Sequence, residues 1–157
     1  MDKAAEFKPG DIFVATDGND GWQGNMPVRG EGEKDGPLAT IAAAQQQIRT
    51  RKKQALLHGP VTVWLAGGSS ALEKPLVFGP EDSVPACYRS RPGEDAVLHG
   101  GRALTDWKTT SVNGRSCWIA EVPDVASGEW NFRQLFVNGK RAARARFPKE
   151  GLHRIAW

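Results

Sequence analysis

Hydrophobic positions recur with a strand-like period at several points of the chain. Val61-Thr62-Val63-Trp64-Leu65 alternates and is β-branched, which predicts a strand. Ile12 to Ala15, Leu76-Val77-Phe78, Cys87-Tyr88 and Ala96-Val97-Leu98 are shorter apolar runs, each predicted as a strand and set among turn residues, mostly Gly or Pro. One stretch has the helical period instead. Ile41, Ala44 and Ile48 recur at helical spacing after Thr40, whose hydroxyl suits an N-cap. Arg49, Arg51, Lys52 and Lys53 lie toward the end, where cations suit the dipole, and Gly59-Pro60 stops the run. The expectation is one amphipathic helix from about 40 to 56, with its basic run a solvated face.

Between these runs the residues favour turns. Asp17-Gly18-Asn19-Asp20-Gly21 combines glycine with Asx side chains that bond their own backbone. Residues 23 to 37 are polar and rich in Gly and Pro, and read as a loop. Trp64-Leu65-Ala66-Gly67-Gly68 is echoed by Val97-Leu98-His99-Gly100-Gly101, 33 positions later, with two short strands between. That spacing suggests one circuit of a three-sided coil. After Arg102 the style changes. Asn113-Gly114 and Asn138-Gly139 sit among strand-like runs carrying Trp107, Trp118 and Trp130, and Asn-Gly is the strongest short hairpin signal. The domain reading is 1-101 as cap and first coils, and 102-157 as a hairpin subdomain leading into further coils.

Composition narrows the class. The 157 residues are 25% charged, which argues against wholesale disorder, and 18 glycines with 10 prolines favour short strands joined by turns. The net charge is +3 and the pI about 9.0, a weak pointer to an acidic partner such as a uronate-bearing glycan or a nucleic acid. The first ten residues have no apolar h-region, and no run approaches a membrane span, so no membrane partner is expected. Cys87 and Cys117 match no metal-ligand spacing and specify no disulfide framework; Cys87, in an apolar run, reads as a small buried hydrophobe.

The candidate chemistry is sparse. His58, His99 and His153 have no paired spacing for zinc. The Asp17 to Gly21 segment fails the calcium-loop pattern, with Gly21 where a ligand is needed. No Gly-x-Ser-x-Gly elbow is present. The acids Asp17, Asp20, Glu81, Asp82 and Glu94 all read as turn formers, with Asp82-Ser83 bonding local backbone. Trp22, Trp107 and Trp130 could stack on sugar rings but read first as core. Lys140 to Arg146 is the densest basic stretch, and reads first as one face of a hairpin strand. No catalytic, metal or cofactor-binding residue is assigned within the chain.

Several phrases in order carry a family resemblance. They are the Asp17–Gly21 turn, Lys34 to Ile41, Pro80-Glu81-Asp82-Ser83, Arg91-Pro92-Gly93-Glu94, Gly100-Gly101-Arg102 and Arg133 to Arg141, extended by Arg144-Ala145-Arg146 and Pro148. From about Phe13 to Ile155 the chain resembles the N-terminal segment of right-handed parallel β-helix (pectate-lyase-like) proteins, in the subgroup of fucosidase- and xylanase-type glycoside hydrolases. It departs from them at Ser70, where a tyrosine is usual, and at Cys87, where a β-branched or small residue is usual. The resemblance implies a mainly β fold: the first coils of a β-helix, one capping helix and an antiparallel hairpin subdomain. It implies glycosidic bond cleavage by an enzyme of which this chain is the structural N-terminal section, inactive alone. The working carboxylates would come from later coils, beyond Trp157. Residues 150 to 157 show no polar capping element, so an open solenoid end is expected there. A polysaccharide or oligosaccharide is the implied partner, and a secreted or periplasmic location is implied although no signal peptide is visible. A non-catalytic glycan-binding or adhesion module of the same fold is the alternative. Nucleic-acid binding through residues 140 to 146 ranks last.

Overall fold

The computed structural model describes residues 7–31, 35–144, 148, 150 and 151. Lys34, Ala145-Arg146 and residues 152–157, which carry parts of the resemblance and of the expected open end, lie outside the described residues. The fold is mainly β, with small sheets and few helices. It divides into two compact units, Met1–Arg102 and Ala103–Trp157.

In the first unit, β1 (Ile12–Val14), β2 (Val61–Leu65) and β4 (Ala86–Ser90) form a parallel sheet in the order β1-β2-β4. A second parallel pair joins β3 (Gly68–Ala71) to β5 (Ala96–His99). The alternation of β2 puts Val61, Val63 and Leu65 on one face, in line with Ile12 and Val14 through the pairs Ile12↔Val63 and Val14↔Leu65. That face is covered by α1 (Ile41–Lys53), whose Ile41, Ala44 and Ile48 join the same buried cluster. Leu38 completes it, forming a parallel bridge with Val14 on the free side of β1. Burying side chains of this size contributes about 1.5–3 kcal/mol each, so this cluster is the main source of stability in the unit.

The opposite face of the sheet is aromatic and cationic. Phe13, Trp64 and Arg89 are neighbours across three strands. The Arg89 guanidinium lies 5.0 Å from the Trp64 ring centroid and Arg91 lies 5.8 Å from that of Phe13, while Phe7 meets both rings edge-on. The Trp64 indole donates to Asp11 Oδ2 at 2.7 Å, so the polar tip of a 3% exposed ring is satisfied.

Several expectations need correction. The helix stops at Lys53, before Gly59-Pro60. Ala55 takes a positive φ of 55°, Ala55 N–H donates to Lys52 O and Leu56 N–H to Arg51 O, which is a Schellman closure without glycine. Leu76-Val77-Phe78 forms no strand; the Val77 carbonyl instead accepts from Gln45 Nε2 and Arg49 Nη2 of the helix. The internal echo is not the repeat. Val61 pairs with Ala86 and Gly68 with Ala96, separations of 25 and 28 residues, so Leu65 lies beside Ser90 and Leu98 beside Ser70. Cys87 is exposed: it lies on the edge strand β4, beside Thr62 on the face away from the apolar cluster.

The second unit holds two antiparallel hairpins, β6 (Lys108–Val112) with β7 (Arg115–Ile119), and β8 (Phe136–Val137) with β9 (Lys140–Arg141). Asn113-Gly114 and Asn138-Gly139 make their turns, all four at positive φ between 49° and 74°, as a type I′ turn requires. A single helical turn, α2 (Pro123–Ala126), lies between them.

Candidate functional site

The acidic turn formers are where candidate chemistry would be sought, and Asp20, Asp82 and Glu94 are committed to structure. Asp20 reaches the start of α1. Its Oδ1 accepts from Ala39 N–H and Thr40 N–H at 2.8 Å, and its Oδ2 accepts from the Thr40 hydroxyl at 2.9 Å. That hydroxyl in turn accepts from Ala43 N–H at 3.0 Å, the N-cap bond. Gly18 allows the turn to approach this closely, since a Cβ there would overlap the Leu38 and Pro37 carbonyls. Asp35, which composition did not single out, braces the long loop by accepting from Gln23 N–H, Gly36 N–H and Asn25 Nδ2. Glu94 accepts from Gly67 N–H, beside the bend between β2 and β3.

Among the described residues, Asp82 is the carboxylate whose pKa is shifted. It sits at the end of the 3₁₀ turn Pro80–Asp82 and accepts Gly79 N–H at 2.8 Å. Arg49 forks onto it, with Nε to Oδ1 at 2.7 Å and Nη2 to Oδ2 at 2.6 Å, and Nη2 also reaches Glu81 at 3.3 Å. This bidentate geometry, helped by the Gly79 amide, holds the Asp82 carboxyl down at about 2. The same hydrogen bond raises the Arg49 pKa. A general acid for glycoside cleavage must be held protonated, which requires the opposite shift. Asp82 is thus unsuited to that acid role, and its fork with Arg49 anchors the helix to the turn.

The sign of its pH effect follows from that. The folded-state pKa lies below the unfolded one, so the stability contributed is full above the ordinary value of 3.8 and is lost as pH falls toward about 2. Asp82→Asn is expected to lower thermal stability at neutral pH and to flatten its decline across this acid window. Melting curves by circular dichroism from about pH 5 to about pH 2 check it. Parallel declines for the two proteins would count against the anchor.

The basic run of α1 is not a solvated face. Arg49 is held as described, Lys52 Nζ donates to Glu81 O and Ser83 Oγ, and Arg51 is buried, donating to Gly10 O, Gln23 O and Asn25 Oδ1. The helical period could have flagged Arg51, which falls on the Ile41–Ala44–Ile48 face.

The candidate sugar-stacking tryptophans differ in environment. Trp22 is half-buried beneath Arg29, with the guanidinium 5.5 Å from its ring centroid. Trp130 stacks on Phe132 with centroids 5.1 Å apart. Trp107 is exposed, and its indole donates to Leu104 O. Trp118, not singled out by the sequence as a binding residue, is the most exposed large aromatic among the described residues at 69%. In the basic stretch, Lys140 and Arg141 form the exposed strand β9. A hollow of about 310 Å³ lies where α1 ends, between Lys52, Leu57, Pro60 and Val84; it contains no carboxylate. Among the described residues, no three His, Cys, Asp or Glu side chains gather to hold a metal ion, and no helix is long and apolar enough to cross a membrane.

No family model matches the chain, and no curated protein matches it. A solved structure named "Glycoside hydrolase" does, with a TM-score of 0.71 and 33% identity over 90% of this chain. The chain spans 22% of that structure's length. This likeness relates the chain to a glycoside hydrolase and is consistent with a carbohydrate-active protein.

Proposed function

We propose that the chain is the N-terminal structural section of a carbohydrate-active glycoside hydrolase, and that its strands are the first coils of a right-handed parallel β-helix. The observation that carries this reading is the order of the strands. β2 and β3, joined by a two-residue bend, pair in parallel with β4 and β5 after 25 and 28 residues, so the chain retraces its path one strand spacing further on. Parallel returns of this kind are almost always right-handed. Among the described residues the outer edges of β4 and β5 are unpaired, and both are available to the next coil. In this reading residues 1-101 form the cap and first coils, and 102-157 a hairpin subdomain inserted before the coils continue.

Cleavage needs two carboxylates across the scissile bond, one of them protonated. Asp20, Asp82 and Glu94 are engaged in holding turns, so the proposed enzyme carries its catalytic pair in later coils, beyond Trp157. The likeness to a glycoside hydrolase of greater length supports that division of labour. The polysaccharide or oligosaccharide is bound by the whole enzyme. The test compares this chain with the gene product read past Trp157, on fucosides, xylan and pectin. The chain alone is expected to be inactive and the longer product to turn over one of the three. Turnover by this chain alone, abolished by changing one of its own carboxylates, would overturn the proposal.

A further inference from the structure

We infer that the outward face of the β6–β7 hairpin is a stacking platform for a neutral pyranose, with Trp118 as its ring and Thr109, Ser111 and Ser116 as its hydroxyls. The inference rests on the reading of the chain as part of a carbohydrate-active enzyme and adds a site to it.

The register sets out the two faces. Thr109 pairs with Trp118 and Ser111 with Ser116, alternating with Lys108↔Ile119, Thr110↔Cys117 and Val112↔Arg115. Counting back from the two-residue turn, the Thr109–Trp118 and Ser111–Ser116 pairs are the non-hydrogen-bonded ones, whose side chains stand closer together on one face. All four of these residues are exposed, whereas Thr110 and Cys117 on the other face are half-buried. Lys108, Val112, Arg115 and Ile119 on that other face are exposed as well, but only the Trp118 face is exposed at every position of the hairpin.

The chemistry of the outward face selects the ligand. An exposed indole offers an apolar plane to the C–H face of a sugar ring and a polar edge to its hydroxyls. The Trp118 N–H donates to no group among the described residues, unlike those of Trp64 and Trp107, which bond within the chain. The hydroxyls of Thr109, Ser111 and Ser116 likewise carry no hydrogen bond among the described residues, and each can donate and accept. The strand charges, Lys108 and Arg115, belong to the opposite face. A plane flanked by free hydroxyls and no charge fits a neutral sugar better than a uronate, which would call for an arginine fork.

The test is calorimetric titration of the purified chain with xylohexaose, cellohexaose and mannohexaose, with oligogalacturonate as the charged comparison. Saturable binding of a neutral oligosaccharide is expected, weakened about tenfold or more by Trp118→Ala and less by Trp118→Phe. Val112→Thr, on the opposite face, is expected to bind as the unaltered chain does. Indole resonances in NMR spectra identify the perturbed ring and confirm that the variants fold. No binding of the three neutral sugars, unchanged affinity in folded Trp118→Ala, or stronger binding of oligogalacturonate would each overturn the platform. So would self-association that Trp118→Ala abolishes without any sugar binding, because the face would then join two copies. Glycosidase activity of the longer gene product alongside any of these negative results would sink the platform and leave the proposed enzyme standing.

Discussion

Leu38→Ala is expected to reduce the unfolding free energy by about 2–5 kcal/mol, the range for a buried leucine truncated in a packed core. Leu38 is 1% exposed, yet it lies outside any strand or helix of regular length. Its backbone is clamped to β1, with Leu38 N–H donating to Phe13 O at 2.8 Å and Ala15 N–H donating to Leu38 O at 2.9 Å. Its side chain belongs to the buried cluster that includes Ile12, Val14 and Ile41. Gly24, at φ 70°, packs so closely against it that a Cβ would meet Leu38 and Ile12 atoms near 3 Å. With the backbone clamped on both sides, the site cannot collapse onto the space left by three carbons, which puts the cost toward the upper part of the range. A domain of this size has about 5–15 kcal/mol in all, so the loss is large in proportion. Denaturant titration reads it as a lower midpoint at unchanged slope. Leu38→Met, which conserves volume, is expected to cost under about 1.5 kcal/mol. A cost of less than about 1 kcal/mol for alanine would mean that the Gly24 loop moves in to fill the gap.

Leu38 also marks the limit of what was legible in the sequence. Where a signal is local, it reads through. The Thr40 cap, the Ile41–Ala44–Ile48 stripe, the bounds of Val61–Leu65 and the two Asn-Gly turns each rest on a few adjacent residues whose own conformational preferences decide the outcome. Parallel register is a different matter. It is set by how far the chain travels between strands, and the Gly-Gly echo at 33 residues reflects two similar bends and not two stacked positions. Leu38 is an apolar residue at the close of a Gly- and Pro-rich loop, and only its distant pairing with Val14 makes it core. The exposed Cys87 and the missing strand at Leu76–Phe78 fail for the same reason, because which face or partner a short apolar run meets is a long-range property. Of the site, the sequence marked the acids correctly as turn residues but did not separate Trp118 from the other tryptophans. Hairpin alternation around Asn113-Gly114 could have done so, by setting it opposite Thr109.

Arg51→Ala is expected to destabilise the chain by about 2–4 kcal/mol, since hydrogen bonds from a charged donor are worth about 1.5–3 kcal/mol each and part of the loss is recovered by water. Arg51 is 9% exposed and sits one turn beyond Ile48 on the buried face of α1. Nη1 donates to Gly10 O at 3.0 Å, and Nη2 to Gln23 O at 3.0 Å and Asn25 Oδ1 at 2.8 Å. One planar group thus ties the segment before β1 and the loop after the Asp17–Gly21 turn to the helix. Burial lowers its pKa, opposed by the charge of Asp35, yet a guanidinium stays protonated throughout the working range. The charge is therefore present and must be satisfied, and the three oxygens are aimed where only a fork can meet them together. Arg51→Lys keeps the charge but not the fork, and is expected to recover less than half of the loss. Arg51→Met keeps the stem and removes the charge. If the stem's packing were what mattered, methionine would approach the stability of the unaltered chain. If the hydrogen bonds matter, methionine falls near alanine, and hydrogen exchange speeds up in the backbone around Gly10 and residues 23 to 25 while the β2–β4 pairing keeps its protection. That second pattern is the expected one, because the carbonyls at Gly10 and Gln23 reach the helix only through this side chain among the described residues.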